Sequence, residues 1–149
     1  ADPVFADYMQ AYGRGGQRSA RFGALEKLAR LYWYTVEFGL IRESGGLRVY
    51  GAGIISSHAE TRFALHSASP HRIAFAMERI MRTPYRIDDF QPHYFVIDSF
   101  DQLLRATIDT DFAPLYARLA GLADWPLGAV VADDCVIHHG AQDYAGRLG

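Results

Sequence analysis

A single cysteine, a single lysine and no long apolar run set the first limits on this chain. Cys135 alone cannot close an internal disulfide, and it offers no paired-cysteine spacing for zinc. One thiol fits a reducing compartment, so a cytoplasmic location is expected. No apolar run approaches the ~18 residues of a membrane span. The first residues lack the basic segment and apolar core of a secretory signal. An excess of one charge is missing too. The 149 residues carry 15 basic and 17 acidic side chains, a formal net charge of −2. A nucleic-acid footprint needs a basic stripe, and none is present. Neither a membrane nor a nucleic acid is therefore expected as a partner. Lys27 is the only lysine, and the arginines are scattered, which argues for codon usage over anion recognition.

What is present is ordinary for a folded protein. The chain is 50% apolar and 21% charged, which excludes disorder and low complexity. Its length predicts one domain, able to bury roughly 70% of the surface its unfolded form exposes. Asp2 and Pro3 open a short predicted helix over 3–10, and residues 13–16 form a glycine-dense loop. Residues 20–40 are the longest helical candidate, because Leu25, Leu28, Leu31, Tyr32, Val36 and Phe38 recur at broadly helical spacing. The second half of that run is rich in aromatic and β-branched residues and has strand propensity as well. Short strands are expected at 47–50 and 54–56. Ser57 and Glu60 form an S-x-x-E capping box that starts a helix through about 65. Ser69 and Pro70 start another through 82, stopped by Thr83 and Pro84. A strand follows at 94–98. Ser99 caps a helix to about 108, and Asp111 one through 119. After residue 121 the sequence is loop-rich. The sum is a mostly α-helical domain with a few short strands.

Glu37 is out of place in its apolar stretch, between Val36 and Phe38. A buried carboxylate must be paired, protonated or bound to a metal. Two readings stand on the pattern alone: an ion pair with an arginine, or a metal ligand or acid–base group. On a helix, Ala29, Trp33 and Glu37 share one face at i, i+4 and i+8. They would wall a pocket for a flat ligand or pack as ordinary core. His66 and His71 are separated by Ser67, Ser69 and Pro70, so no helix holds them together and both are read as surface residues. His138 and His139, beside Asp133 and Asp134, read as a solvated loop rather than a metal site. Gly51 and Gly53 lack the rest of a dinucleotide-binding glycine pattern, and no serine sits in a nucleophile-elbow context.

Residues 29–40 (ARLYWYTVEFGL), 50–57 (YGAGIISS) with Glu60, and 90–100 (FQPHYFVIDSF) strongly resemble the pterin-dependent aromatic amino acid hydroxylases. Residues 2–8 (DPVFADY) and 67–70 (SASP) look most like the bacterial, phenylalanine-hydroxylating branch. The resemblance runs through about residue 119. It implies the mostly helical catalytic-domain fold of that family, whose Fe(II) is held by two histidines and a glutamate with one face left open. By this resemblance Glu37 is the carboxylate ligand, which displaces the ion-pair reading. Trp33, Gly53, Ser56 and Ile87 belong to the substrate pocket. Ser56 also orients an iron-bound histidine, and Glu60 is a further outer-shell position. Ala29 and Tyr32 lie near the pterin. The implied reaction takes L-phenylalanine to L-tyrosine with Fe(II), tetrahydrobiopterin and O2. One oxygen atom goes to the pterin and the other to the ring. The protein positions the ring and excludes water. In the tyrosine-specific branch the position matching Ile87 is acidic. An apolar residue there suits an unsubstituted phenyl ring.

The sequence departs from the family in one serious respect. The family's two histidine ligands lie in an H-x4-H motif just before the segment matching Ala1, together with residues that stack on the pterin and an arginine that binds the substrate carboxylate. The chain is therefore expected to be the later part of such a catalytic domain, truncated on its N-terminal side and inactive alone. Its alternatives are a non-catalytic binding descendant of the fold, or a tyrosine or tryptophan hydroxylase. Nothing resembles a regulatory or tetramerisation segment, so a monomer is expected.

Overall fold

The computed structural model describes residues 25–144. The helix expected over 3–10, the loop at 13–16 and the start of the helix expected from residue 20 lie outside the described residues. A five-stranded mixed sheet organises the rest, in the order β2-β1-β4-β3-β5. Its strands are β1 (Leu40–Glu43), β2 (Gly46–Val49), β3 (His71–Ala74), β4 (His93–Ile97) and β5 (Val136–His138). β1 and β2 form an antiparallel hairpin in which Glu43 faces Gly46. β4 lies parallel to both β1 and β3, and β5 closes the edge antiparallel to β3.

The helices cover both faces of this sheet, and β4 shows why. Every residue of β4 is buried. Tyr94 and Val96 pack with Phe38, Leu40, Ile54 and Ala64, whereas Phe95 packs with Leu28, Leu31, Ile80, Phe112 and Tyr116. Successive side chains of a strand point to opposite faces. A strand covered on both sides therefore reads as a continuous apolar run rather than an alternating one. The covering helices are α1 (Leu25–Tyr32), α2 (Ala52–Ile55), α3 (His58–His66), α4 (Met77–Met81), α5 (Phe100–Asp109) and α6 (Phe112–Leu119). Trp33 packs against both clusters and sits at their junction.

Several expected elements hold. Ser57 caps α3 by accepting from the Glu60 N–H at 3.2 Å, and Ser99 caps α5 by accepting from the Gln102 N–H at 3.0 Å. Others are corrected. Asp111 stands at the start of α6 but its side chain makes no cap hydrogen bond there. The long helix ends at Glu37, not 40, because residues Trp33–Glu37 form a π turn and Leu40 opens β1. Residues 54–56 are not a strand. Ile54 and Ile55 lie in the short helix α2, where tertiary packing overrides β-propensity. The helix expected over 70–82 is instead β3 followed by α4. β3 has β4 on one side and β5 on the other, a pairing that local sequence signals do not report. The loop-rich tail supplies β5.

The surface readings of the polar residues change as well. His71 is buried. Its Nδ1 accepts from the Gly140 N–H at 2.9 Å, and its Nε2 lies 3.0 Å from the Gly128 carbonyl. Asp134 is not in a solvated loop either. Arg79 donates to it at 3.0 Å, with both side chains almost fully buried. His138 accepts from Arg72 at 2.7 Å. The scattered arginines thus have work in the core: Arg30, Arg72 and Arg79 are buried among carbonyl and carboxylate oxygens.

Candidate functional site

The π turn places the candidate carboxylate. Tyr32, Trp33, Tyr34, Thr35 and Val36 are poor helix formers, with bulky or branched side chains that crowd the preceding turn. Thr35 donates its hydroxyl to the Leu31 carbonyl at 2.6 Å, and the Phe38 N–H reaches back five residues to the Trp33 carbonyl at 2.8 Å. Such one-turn π segments recur at functional sites. Glu37 is the last residue of this turn and is half-buried. The Tyr32 phenol lies beside its carboxylate. Partial burial first, and the Glu37 charge second, push that phenol's pKa up, so it stays protonated.

Behind Glu37 the main chain of the 51–53 turn comes very close. A Cβ on Gly51 would lie 2.3 Å from the Glu37 carbonyl oxygen. One on Gly53 would lie 2.9 Å from the Phe38 ring and 3.0 Å from the same carbonyl. Both glycines are there for room, since neither has a positive φ. The Ser56 hydroxyl, at the end of α2, donates to the Gly53 carbonyl at 3.0 Å. Its proton is committed there, so its lone pairs are what it offers outward.

Trp33 is the centre of an aromatic stack. Its ring lies between Phe38, at 4.5 Å, and Tyr85, at 4.3 Å and 14°. The indole N–H is buried with no hydrogen-bond partner among the described residues. Ala29 is half-buried one turn earlier, on α1. The structure therefore brings Tyr32, Trp33, Glu37, Gly53 and Ser56 into one neighbourhood, linked by direct contacts. Ile87 stands apart. It lies on the loop between α4 and β4 and is 71% exposed, connected to the group through Tyr85. Glu60 is buried on α3 and serves that loop: it accepts from the Tyr94 hydroxyl at 2.7 Å and from the Gln91 N–H at 3.3 Å. Tyr85 and Gln91 are not singled out by the sequence. Their only local signal is an aromatic residue directly after Pro84 and a glutamine before Pro92.

The donor set does not complete a metal site. No group of three His, Cys, Asp or Glu side chains converges among the described residues. The histidines are otherwise engaged or remote from such a group. The buried His93 accepts from the Gly128 N–H through Nε2 at 3.2 Å, which leaves Nδ1 to face the Tyr34 hydroxyl at 3.4 Å. Burial first, and the Arg79 charge next, push its pKa down to about 3. His71 and His138 are held by main chain and by Arg72, as described above. Glu37 is the candidate carboxylate of the expected triad, and the described residues bring no imidazoles to it. No helix of the described residues is long and apolar enough to cross a membrane.

Comparison with known proteins gives a consistent result. A family model for biopterin-dependent aromatic amino acid hydroxylases matches residues 1–113. The phenylalanine-4-hydroxylase of Ralstonia nicotianae is 62% identical over 142 residues, which is 95% of this chain and 45% of that protein. The phenylalanine-4-hydroxylase of Caulobacter vibrioides is 57% identical over 99% of this chain and 51% of its own length. Among solved structures, the cobalt-bound phenylalanine hydroxylase of Chromobacterium violaceum superposes with a TM-score of 0.89 at 59% identity, covering 91% of this chain and 49% of that one. The chain spans about half the length of the curated relatives it matches.

Proposed function

Because the chain belongs to the biopterin-dependent aromatic amino acid hydroxylases, we propose that it forms the glutamate-bearing half of a phenylalanine 4-monooxygenase, converting L-phenylalanine to L-tyrosine with Fe(II), tetrahydrobiopterin and O2. The observation that carries this reading is Glu37, set at the end of a π turn with the Tyr32 phenol beside it and the Gly51 main chain packed against its carbonyl. When bound, iron and the reduced pterin supply the activation of dioxygen, which no side chain can. The chain's own residues do the rest. Glu37 contributes the anionic ligand. Ser56, with its proton on Gly53, offers the lone pair that orients a ligating imidazole. Trp33, held flat between Phe38 and Tyr85, walls the ring pocket, with Gly53 allowing close approach of the main chain. Ala29 and Tyr32 face the pterin. The apolar Ile87 favours a phenyl ring over a phenol. The enzyme acts as a cytoplasmic monomer.

The 149-residue chain by itself is inactive on this reading, since the described residues assemble no triad. The test uses the protein made from the complete reading frame that contains these residues. It should bind iron and form tyrosine when tetrahydrobiopterin is supplied. Glu37→Gln should lower iron affinity by more than the ~10–100-fold that losing an outer-shell partner costs. Full iron occupancy in Glu37→Gln, or turnover by the isolated chain, overturns the proposal.

A further inference from the structure

The loop between α4 and β4 is held far more firmly than its exposure requires. At its tip Ile87 is 71% exposed and Asp88 is exposed. Directly behind the tip, the side-chain amide of Gln91, which is fully buried, grips both main-chain groups of Arg86. Its Oε1 accepts from the Arg86 N–H at 3.1 Å, and its Nε2 donates to the Arg86 carbonyl at 2.6 Å and to the Asp89 carbonyl at 3.3 Å. The two partners fix which end of the amide is oxygen. Gln91 is itself tied down, because its N–H donates to the buried Glu60 carboxylate at 3.3 Å. The buried Asp89 accepts from the Phe90 N–H and from the Tyr144 hydroxyl, each at 2.7 Å. On the N-terminal side of the tip, Tyr85 stacks on Trp33 at 4.3 Å.

A loop normally keeps its tip mobile, since ordering each residue costs roughly 1–2 kcal/mol of backbone entropy. Here three separate ties order a tip whose aliphatic side chain gains nothing from water. That expense has a use if Ile87 must stand at a set distance from something apolar. We propose that Gln91 is a positioning residue for ring selectivity, clamping Arg86 so that Ile87 is presented at a fixed place. This rests on the reading of Ile87 as a wall of the phenylalanine pocket. Gln91 touches neither substrate nor cofactor and acts through the loop.

The experiment uses the protein from the complete reading frame. In the unmodified protein, backbone amide order parameters for Ile87 and Asp88 should lie near the ~0.85 of rigid elements, and values below ~0.6 overturn the clamp. Gln91→Met keeps the side-chain length and removes the amide. It should raise the KM for phenylalanine on the order of 10-fold, with kcat within about 3-fold, because misplacing a contact remote from the chemistry weakens productive binding. In an Ile87→Ala background the same substitution should change KM no further. Should Gln91→Met not fold, Tyr144→Phe, which removes the hydroxyl that donates to Asp89, must move KM in the same direction. Additive effects in the cycle, or a loss of thermal stability with KM unchanged, mean that Gln91 is merely structural. An unmodified protein that does not bind phenylalanine removes the reading of the site itself, whatever the order parameters show.

Discussion

Gly51→Ala tests most directly how Glu37 is held. Gly51 has φ −66° and ψ 134°, a conformation that alanine adopts freely, so the substitution adds volume and no backbone strain. The new Cβ would stand 2.3 Å from the Glu37 carbonyl oxygen, 2.5 Å from its carbon and 2.6 Å from the Gly39 nitrogen. All three are main-chain atoms, so no flexible side-chain end can swing aside. Carbon makes ordinary contact at roughly 3.5 Å, so the π turn and the 51–53 turn must part by about 1 Å. Overpacking of this kind costs ~1–3 kcal/mol. At roughly 2–4 °C per kcal/mol for a chain of this size or larger, Tm should fall by roughly 2–12 °C. The displaced atoms belong to the proposed ligand, so iron should dissociate more readily as well. Gly121→Ala is the control: nothing lies within 4 Å of its Cβ, and its φ is not positive. It should be neutral, or stabilising by up to about 1 kcal/mol through the unfolded chain. Calorimetry on both variants, with iron analysis of the complete-frame protein, reads the outcome. A Gly51→Ala protein with the Tm and iron content of the unmodified one would refute the packing argument.

Three further outcomes follow from the buried polar groups. Arg79→Met leaves Asp134 buried without its cation and also removes donors to Thr83 and Ala129, so denaturant unfolding should show a loss of ~3–5 kcal/mol. A loss under about 1 kcal/mol, the level of an exposed pair, counts against that pair as a tie between α4 and the tail. Tyr94→Phe strips a 2.7 Å donor from the buried Glu60 carboxylate and should cost ~1.5–3 kcal/mol by the same assay, with unchanged stability as the contrary result. The third is a pH dependence. The His93 pKa is pushed from 6.5 down to about 3, and burial lowers that of His71 too. The unfolded chain therefore binds protons that the folded one refuses. Stability is flat above about pH 6.5 and falls as pH drops towards 4, by up to ~1.4 kcal/mol per unit for each histidine. Urea midpoints that stay constant from about pH 6.5 to about 4.5, above the carboxylate range, would contradict this.

How much was legible in the sequence follows from the range of each signal. Ser57 and Ser99 announce their helices because a cap is a contact across three residues. The strand expected at 94–98 was legible from the apolar run 94–97, and the structure shows why that run does not alternate: β4 is buried along its whole length. Glu37 stood out because a carboxylate among apolar neighbours has few stable explanations. The π turn was not legible. Its sequence showed only a conflict between helical spacing and strand propensity, and the structure resolves that conflict with a five-residue back-bond. β3 and β5 were misread for a related reason: residues 71–74 are a strand only because β4 and β5 flank them, and β5 lies more than sixty residues further on.

The sequence by itself determined the family, the caps at Ser57 and Ser99, the apolar strand and the candidate carboxylate Glu37. Each of these is carried by residue type at short spacing, or by long motifs in fixed order. Tertiary structure alone decided which polar groups are buried and what they hold. His71 and Asp134 have surface-like neighbours in sequence, yet they are buried by chain arriving from 128–140 and from α4. Gln91 became a clamp only once Arg86 and Glu60 came within hydrogen-bond reach of it. Hydrogen bonds are satisfied by proximity in space. Where partners lie tens of residues apart along the chain, only the fold selects them.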